Sequence, residues 1–193
     1  AITATSLHGY ARAILEAIDE PVILVGHSMA GYPITAAAEL APQKITALIY
    51  VCAYVPRPGL SLADLRRAGP SQPLAPAIRI APDRQSFDFD PTMIAAKFYH
   101  DCPPEAVDLA RRNLCPEPIL PQETPLALSA RSANIAKYYI RCTEDRAIPP
   151  AYQTTMSASF PPTHVSSLPT SHSPFFAAPQ ALAQSLIRSA ENL

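Results

Sequence analysis

A serine stands among small residues at positions 26–31, Gly-His-Ser-Met-Ala-Gly. The residues before it, Val22 to Val25, are apolar, and the residues after it read as a helix that ends at Pro42. A serine on a sharp turn between a buried strand and a helix is typical of an enzymatic nucleophile, because that turn exposes the hydroxyl. Ala30 occupies the place of the second glycine in Gly-x-Ser-x-Gly, and alanine is small enough for the same packing. The alternative for Ser28 is an ordinary turn of small residues.

A serine hydroxyl is a weak nucleophile until a base accepts its proton and a carboxylate orients that base. The chain has five histidines, namely His8, His27, His100, His164 and His172. His172 lies in a predicted loop between the last strand and the last helix, where the base is found when the order is Ser, acid, His. We therefore predict His172 as the base. Its alternative role is packing against Phe175 or Phe176.

The acid of such a site follows a late strand, and the segment after residues 137–142 is Thr-Glu-Asp-Arg. We predict Asp145 as the acid, with Glu144 as the alternative. Asp145 could instead pair with Arg146 or cap the next turn. The helix that begins after Ser28 directs N–H groups towards developing negative charge, so the Met29 N–H is the predicted oxyanion donor.

Strands and helices alternate along the chain in the order that positions these residues. The hydrophobic pattern predicts helices at 5–19, 32–42, 150–159 and 179–191, and strands at 22–26, 45–55, 137–142 and 164–168. The first two strands are continuous apolar runs, which is typical of strands buried on both faces. Alternation of this kind predicts an α/β fold with a parallel sheet and helices on both of its faces.

The segment 57–136 interrupts this alternation. It is rich in proline and contains two predicted helices, 90–101 and 103–114. A segment of this length is too long for a simple loop, so we interpret it as a lid or cap. The expected organisation is a core formed by 1–56 and 137–193, with 57–136 inserted as the cap.

Composition limits the classes of partner. The net charge is −1, so nucleic acid and anionic membranes are not expected partners. No apolar run approaches the roughly 20 residues that span a bilayer, and no signal peptide is recognisable. The four cysteines form no Cys-x-x-Cys pair, and we expect them to be reduced in a cytoplasmic protein. The sequence leaves open whether the chain forms a homodimer.

Four segments together resemble the α/β-hydrolase superfamily, and more narrowly the branch of plant methylesterases, hydroxynitrile lyases and bacterial esterases. They are GHSMAG, FYHDCPPEAVDLA, YYIRCTEDRAIPPAYQ and SHSPFFAAPQALA. The resemblance implies the α/β-hydrolase fold, a Ser28–His172–Asp145 triad, and hydrolysis of small carboxylic esters without metal or cofactor. It also implies a helical cap over a mostly hydrophobic pocket. Candidates for its lining are Tyr32, Tyr54, Phe98, Tyr99, Leu120 and Leu126, although ordinary core packing is the favoured explanation for each of them taken singly.

The sequence departs from this family in two respects. The fold normally opens with several strands and a loop that supplies a second oxyanion N–H, whereas the first element here is the helix before residues 22–26. We therefore expect those strands to be missing from this sequence, which would leave residues 22–26 with a bare apolar edge. The lyases of the branch carry a lysine soon after the histidine and a glutamate before the serine, where this chain has Ser173 and His27. Both differences favour an esterase.

Two other functions remain as alternatives. One is a hydroxynitrile lyase that uses the same triad to break a C–C bond. The other is a relative without catalytic activity that binds a small molecule in the pocket. For His27, the sequence leaves open whether it tunes Ser28 or only packs.

Overall fold

The fold is described by a computed structural model for residues 5–193. Within this part of the chain the strands are β1 (Val22–His27), β2 (Ile45–Val51), β3 (Ile78–Ile80), β4 (Ser86–Phe89), β5 (Glu117–Pro118), β6 (Ala136–Cys142) and β7 (Val165–Leu168). The helices are α1 (Leu7–Glu16), α2 (Gly31–Leu40), α3 (Leu62–Ala68), α4 (Ile94–Phe98), α5 (Pro104–Asn113), α6 (Leu120–Glu123), α7 (Ala130–Ala133), α8 (Pro150–Met156), α9 (Pro174–Ala177) and α10 (Pro179–Glu191).

The main sheet is parallel, with the strand order β1-β2-β6-β7. Alternate residues of β2 and β6 face opposite sides of it. Leu48, Tyr50 and Tyr139 pack towards α2, whereas Ile49 and Ile140 pack in the cluster that includes Leu182 of α10. Helices therefore cover both faces, as the alternation of elements predicts. Because the strands are parallel, their carboxyl ends meet at one edge of the sheet, where ligands bind in open α/β folds.

The burial of β1 differs from the prediction made from the sequence. The apolar run 22–26 predicts burial on both faces, but most of β1 is only partly buried and Val25 is 47% exposed. The reason is its position, because β1 pairs only with β2 in the described part of the chain. Hydrophobic composition alone does not reveal whether a strand is central or at an edge.

Residues 57–136 contain α3 to α7 and a separate antiparallel sheet with the order β3-β4-β5. The hydrophobic pattern did not predict this sheet, because its strands are two to four residues long. It also overestimated the helix at 90–101. Asp90 accepts hydrogen bonds from the backbone N–H and hydroxyl of Thr92. A turn therefore occupies the positions before α4, and the helix begins only at Ile94.

The predicted terminal helix matches α10, and Ser6 is the observed N-cap of α1, where its hydroxyl accepts from the Gly9 N–H at 3.0 Å. Across residues 5–193, the helices all fall short of the length and apolar character that crossing a membrane requires.

Candidate functional site

Ser28 lies on a strained turn immediately after β1. Its φ angle is 56°, which is in the left-handed region that non-glycine residues rarely adopt. The backbone passes from β1 through a single 3₁₀ turn into α2. Two glycines make this path possible. A Cβ on Gly31 would lie 2.1 Å from the carbonyl oxygen of Tyr54, and a Cβ on Gly26 would lie 2.7 Å from Cδ1 of Ile34.

His172 and Asp145 are brought together from loops at the ends of neighbouring strands. Asp145 follows β6 and His172 follows β7, and these strands pair in parallel. His172 Nδ1 lies 2.7 Å from Oδ2 of Asp145. Both side chains are almost fully buried, at 3% and 0% exposure. Glu144, the alternative acid, is exposed to solvent, as is Arg146.

The carboxylate of Asp145 is fixed by three further donors. Its Oδ1 accepts from the backbone N–H groups of Ala147 and Ile148, at 2.7 and 2.9 Å. Its Oδ2 accepts from Nε2 of Gln153 at 2.8 Å. Gln153 lies on α8 and is completely buried, and it is not among the residues predicted from the sequence. Its position eight residues after the predicted acid, on the next helix, was the available signal.

The loop that carries His172 is also fixed through its backbone. Nε2 of His27 lies 2.7 Å from the carbonyl oxygen of His172, and Sγ of Cys52 lies 3.5 Å from the same oxygen. The N–H of Ser171 donates to Oδ2 of Asp101 at 2.7 Å. Asp101 belongs to the FYHDC segment of residues 98–102. The loop is therefore held by the ends of β1 and β2 and by the 57–136 segment.

A cavity of about 720 Å³ opens beside these residues. Ser28, Met29 and His172 all line it, together with three of the predicted pocket residues, Tyr54, Phe98 and Tyr99. Most of the remaining lining is apolar, including Leu62, Leu74, Ile78, Phe87, Phe89, Leu114, Ile148 and Phe175.

Tyr32 was wrongly predicted as a pocket residue. It is 1% exposed in the core between α1, α2, α3 and α8, and its hydroxyl donates to the carbonyl of Leu60 at 3.1 Å. The first turn of α2 directs this side chain away from the cavity, although Ser28 is only four residues earlier. Two further candidates also lie elsewhere, since Leu120 is 54% exposed and Leu126 packs against the same core.

One wall of the cavity contains three polar side chains that are joined by hydrogen bonds, those of Arg66, Gln122 and Glu117. Nε2 of Gln122 donates to Glu117 at 3.1 Å, and its Oε1 accepts from Nη1 of Arg66 at 3.4 Å. Burial raises the pKa of Glu117, and the hydrogen bond from Gln122 offsets part of that effect. A few polar groups in a mostly apolar cavity are typical of a ligand site, where they orient the ligand.

One cluster has the spacing of a metal site. The ligand atoms of His27, Cys52 and His172 lie within 4.8 Å of one another, and nitrogen and sulfur ligands suit zinc. These side chains already have other partners, however. Nε2 of His27 faces a carbonyl oxygen, and Nδ1 of His172 faces Asp145. Burial raises the pKa of Cys52, which disfavours the thiolate that a metal requires. We therefore assign no metal here.

The remaining histidines lie outside the cavity lining. His8 is exposed on α1, and His164 stacks on Tyr138 with its Nδ1 3.0 Å from the carbonyl oxygen of Lys137. His100 lies in the 57–136 segment, and its Nδ1 is buried without a hydrogen-bond partner among the described residues. Of the five histidines, only His27 and His172 line the cavity.

Comparison with known proteins places this geometry in a family. The profile of the alpha/beta hydrolase family matches residues 2–185. Methylesterase 18 of Arabidopsis thaliana is 30% identical over 195 residues, which cover 91% of this chain and 73% of that protein. Putative methylesterase 15, chloroplastic, of Arabidopsis thaliana is 32% identical over 200 residues, covering 95% of this chain. The chain spans only 45% of that relative.

The solved structures agree with this result. A pyrethroid hydrolase from Sphingobium faniae JZ-2 superposes with a TM-score of 0.86 at 26% identity, covering 97% of this chain and 79% of that structure. The chain belongs to the alpha/beta hydrolase family. Its named relatives include methylesterases and a pyrethroid hydrolase, which are carboxylesterase-type hydrolases.

Proposed function

We propose that this protein is a serine hydrolase that cleaves small carboxylic esters through a triad of Ser28, His172 and Asp145. The observation that carries the proposal is the buried contact of 2.7 Å between His172 and Asp145, beside a cavity that Ser28 also lines. The names of the relatives, methylesterase and pyrethroid hydrolase, support the same reaction.

The chemistry follows from the tautomer of His172. A carboxylate only accepts hydrogen bonds, so Nδ1 of His172 carries the proton that is donated to Asp145. Nε2 is then the unprotonated nitrogen and can accept the proton of the Ser28 hydroxyl. Asp145 holds the ring in this tautomer and stabilises its charge after the transfer.

The proposed hydrolysis needs only these groups, the ester and one water molecule. Ser28 Oγ attacks the ester carbonyl while its proton passes to His172, and the resulting oxyanion is stabilised by the Met29 N–H. The tetrahedral intermediate then releases the alcohol, which takes the proton from His172. A water molecule loses a proton to His172 and attacks the acyl-enzyme, which releases the carboxylic acid and restores Ser28.

The cavity indicates the class of substrate. Its lining is mostly apolar, with Tyr54, Phe98 and Tyr99 near the triad, so at least one part of the ester is expected to be hydrophobic. We also propose that residues 57–136 form a cap over the site, because Leu62, Leu74, Ile78, Phe87 and Phe98 of that segment line the cavity.

The test is hydrolysis of p-nitrophenyl acetate by the full-length protein and its Ser28→Ala variant. We expect turnover by the wild type and background rates in the variant, together with fluorophosphonate labelling that requires Ser28. Ser167→Ala, on the exposed face of β7, is the matched control and should keep full activity. Equal background rates in folded wild type and Ser28→Ala, without labelling, would contradict the proposal and favour a binding protein. Cleavage of mandelonitrile without ester hydrolysis would favour the lyase.

A further inference from the structure

His27 precedes Ser28 at the end of β1 and has no part in the proposed proton transfers. Its Nε2 nevertheless lies 2.7 Å from the carbonyl oxygen of His172, which is 145 positions further along the chain. The two imidazole rings are 4.5 Å apart between centroids. This contact links the turn that carries the nucleophile directly to the loop that carries the base.

The contact fixes the protonation of His27. A carbonyl oxygen only accepts hydrogen bonds, so Nε2 of His27 must carry a proton and donate. Burial, and secondly the neighbouring His172, lower the pKa of His27 to about 3. The ring therefore stays neutral at physiological pH, and it orients the loop without placing a positive charge beside His172.

Two other side chains contact this pair, one at the carbonyl of His172 and one at the ring of His27. Sγ of Cys52, which directly follows β2, lies 3.5 Å from the same carbonyl oxygen. Cys52 has a φ angle of 35°, so the backbone adopts an uncommon conformation where its thiol faces the loop. On the other side, Phe175 packs edge-on against His27 with 5.1 Å between the ring centroids. The His27 ring is thus held in a single place from which it can donate.

We propose that His27 is a positioning residue, whose hydrogen bond to the carbonyl of His172 sets the direction of the His172 imidazole towards Ser28. This inference rests on the proposed function. The carboxylate of Asp145 holds the ring of His172, whereas the ring of His27 holds the backbone carbonyl of His172. Asp101 holds this loop one residue earlier, at the Ser171 N–H, whereas the carbonyl of His172 itself is contacted by His27 at 2.7 Å and by the more distant thiol of Cys52 at 3.5 Å. Loss of the His27 contact therefore removes the shorter of the two contacts to this carbonyl.

The size of the effect follows from the geometry of proton transfer. A displacement of about 1 Å in a reacting group can cost about 100-fold in rate. His27 is one of many residues that line the cavity, and most of that lining is apolar, so loss of the His27 contact should lower kcat far more than it changes KM. Simple packing by His27 would instead tolerate any side chain of similar size.

The variants His27→Gln and His27→Asn separate these roles. The amide nitrogen of glutamine can occupy the place of Nε2 and donate to the carbonyl, whereas the shorter asparagine cannot reach it. His27→Leu adds an apolar variant of similar size. The measurements are kcat and KM for p-nitrophenyl acetate in the full-length protein, with circular dichroism to confirm folding.

We expect His27→Gln to stay within about threefold of the wild-type kcat, and His27→Asn and His27→Leu to lose about 30-fold or more, with little change in KM. Full activity in folded His27→Asn, or equal losses in the glutamine and asparagine variants, would overturn the proposal.

Ser28→Ala, measured in parallel, separates this result from a failure of the proposed function. If Ser28→Ala abolishes hydrolysis and His27→Asn does not impair it, the triad stands and the positioning role of His27 is wrong. If Ser28→Ala leaves hydrolysis unchanged, the proposed triad itself is wrong. If the asparagine and leucine variants do not fold, Cys52→Ala tests the same carbonyl contact and should lower kcat by a smaller factor, and an unchanged kcat there would count against the proposal.

Discussion

The side-chain amide of Gln153 lies 2.8 Å from Oδ2 of Asp145, the same carboxylate oxygen that faces His172 Nδ1 at 2.7 Å. Gln153 also accepts from the Cys142 N–H at 2.9 Å and donates to the carbonyl of Ile148 at 2.9 Å. It therefore joins the end of β6, the loop that carries Asp145 and the helix α8. The direction of the carboxylate is set by this buried network rather than by Asp145 alone.

Replacing Asp145 by asparagine should nearly abolish activity. The N–H groups of Ala147 and Ile148 keep the asparagine oxygen in the place of Oδ1, so the new NH₂ group faces Nδ1 of His172. Nδ1 must then accept, and the proton moves to Nε2, where it prevents deprotonation of Ser28. We expect kcat for p-nitrophenyl acetate to fall by about 10⁴-fold in a folded protein.

The matched control for this change is Glu144→Gln, since Glu144 is the exposed neighbour of Asp145. It should keep wild-type kcat. A folded Asp145→Asn variant that keeps a tenth or more of the activity would exclude Asp145 as the acid of the triad.

Replacing Gln153 by leucine should reduce both stability and activity. The Cys142 N–H and the Ile148 carbonyl would lose a buried partner, and each such loss costs about 1–3 kcal/mol. Asp145 would also lose one of its donors, so its carboxylate should turn more freely and kcat should fall by about tenfold. Urea denaturation and steady-state kinetics measure the two effects.

The exposed Gln180 in the first turn of α10 offers a matched control. Gln180→Leu makes the same chemical change and should leave the free energy of unfolding and kcat almost unchanged. Equal behaviour of the two variants would show that the Gln153 network does not support the site.

Replacing Gly31 by alanine should prevent normal folding. The added methyl would lie 2.1 Å from the carbonyl oxygen of Tyr54, and a backbone atom cannot move aside without displacing α2 from the sheet. We expect a loss of more than about 4 kcal/mol in the free energy of unfolding, or failure to obtain soluble protein. Thermal denaturation followed by circular dichroism provides the measurement.

Gly9→Ala is the control for a glycine in a helix. The nearest atom to a Cβ there is the flexible Ser6 hydroxyl at 3.2 Å, and alanine has the higher helix propensity. This variant should fold normally. Normal stability of Gly31→Ala would mean that the close approach of α2 to Tyr54 is not required.

Replacing Glu117 by glutamine should stabilise the protein at neutral pH. Burial raises the pKa of Glu117 above its ordinary value of 4.5, so the folded state holds its proton more tightly than the unfolded state. The resulting stability is present below pH 4.5 and is lost as pH rises through the folded-state pKa. Glu117→Gln removes this loss and can still accept the hydrogen bond of Gln122.

The Tm of Glu117→Gln should therefore exceed that of the wild type at pH 7, with the difference decreasing towards pH 4. Glu105→Gln, on the exposed side of α5, should show no such trend. A Glu117→Gln variant that is less stable than the wild type at pH 7 would show that the carboxylate is stabilised by its surroundings.

Much of the candidate site could be anticipated because its signals are local in the sequence. The small residues around Ser28 are required by a sharp turn between strand and helix. Asp145 and His172 each follow a predicted strand, and parallel strands bring such loops to one edge of the sheet. The order of elements thus predicts their proximity without any knowledge of side-chain contacts.

The errors arise where the outcome depends on tertiary neighbours. Tyr32 is close to Ser28 in sequence, but the direction of its side chain is set by the packing of α2 against α1 and α3. The strands β3, β4 and β5 are too short to have a recognisable period, and they form only because they pair with one another. The burial of Val25 depends on which strand lies beside β1.

The sequence by itself determined the order of the strands of the main sheet and their helices, the turn at Ser28 and the proximity of Asp145 to His172, because hydrophobic periodicity and small residues act over a few positions. Only the tertiary structure decided that Gln153 holds Asp145, that His27 and Cys52 face the carbonyl of His172, and that Glu117, Gln122 and Arg66 share one wall of the cavity. These contacts join residues from different elements, often more than fifty positions apart. The packing of those elements determines which residues come into contact, and no short segment of the sequence contains that information.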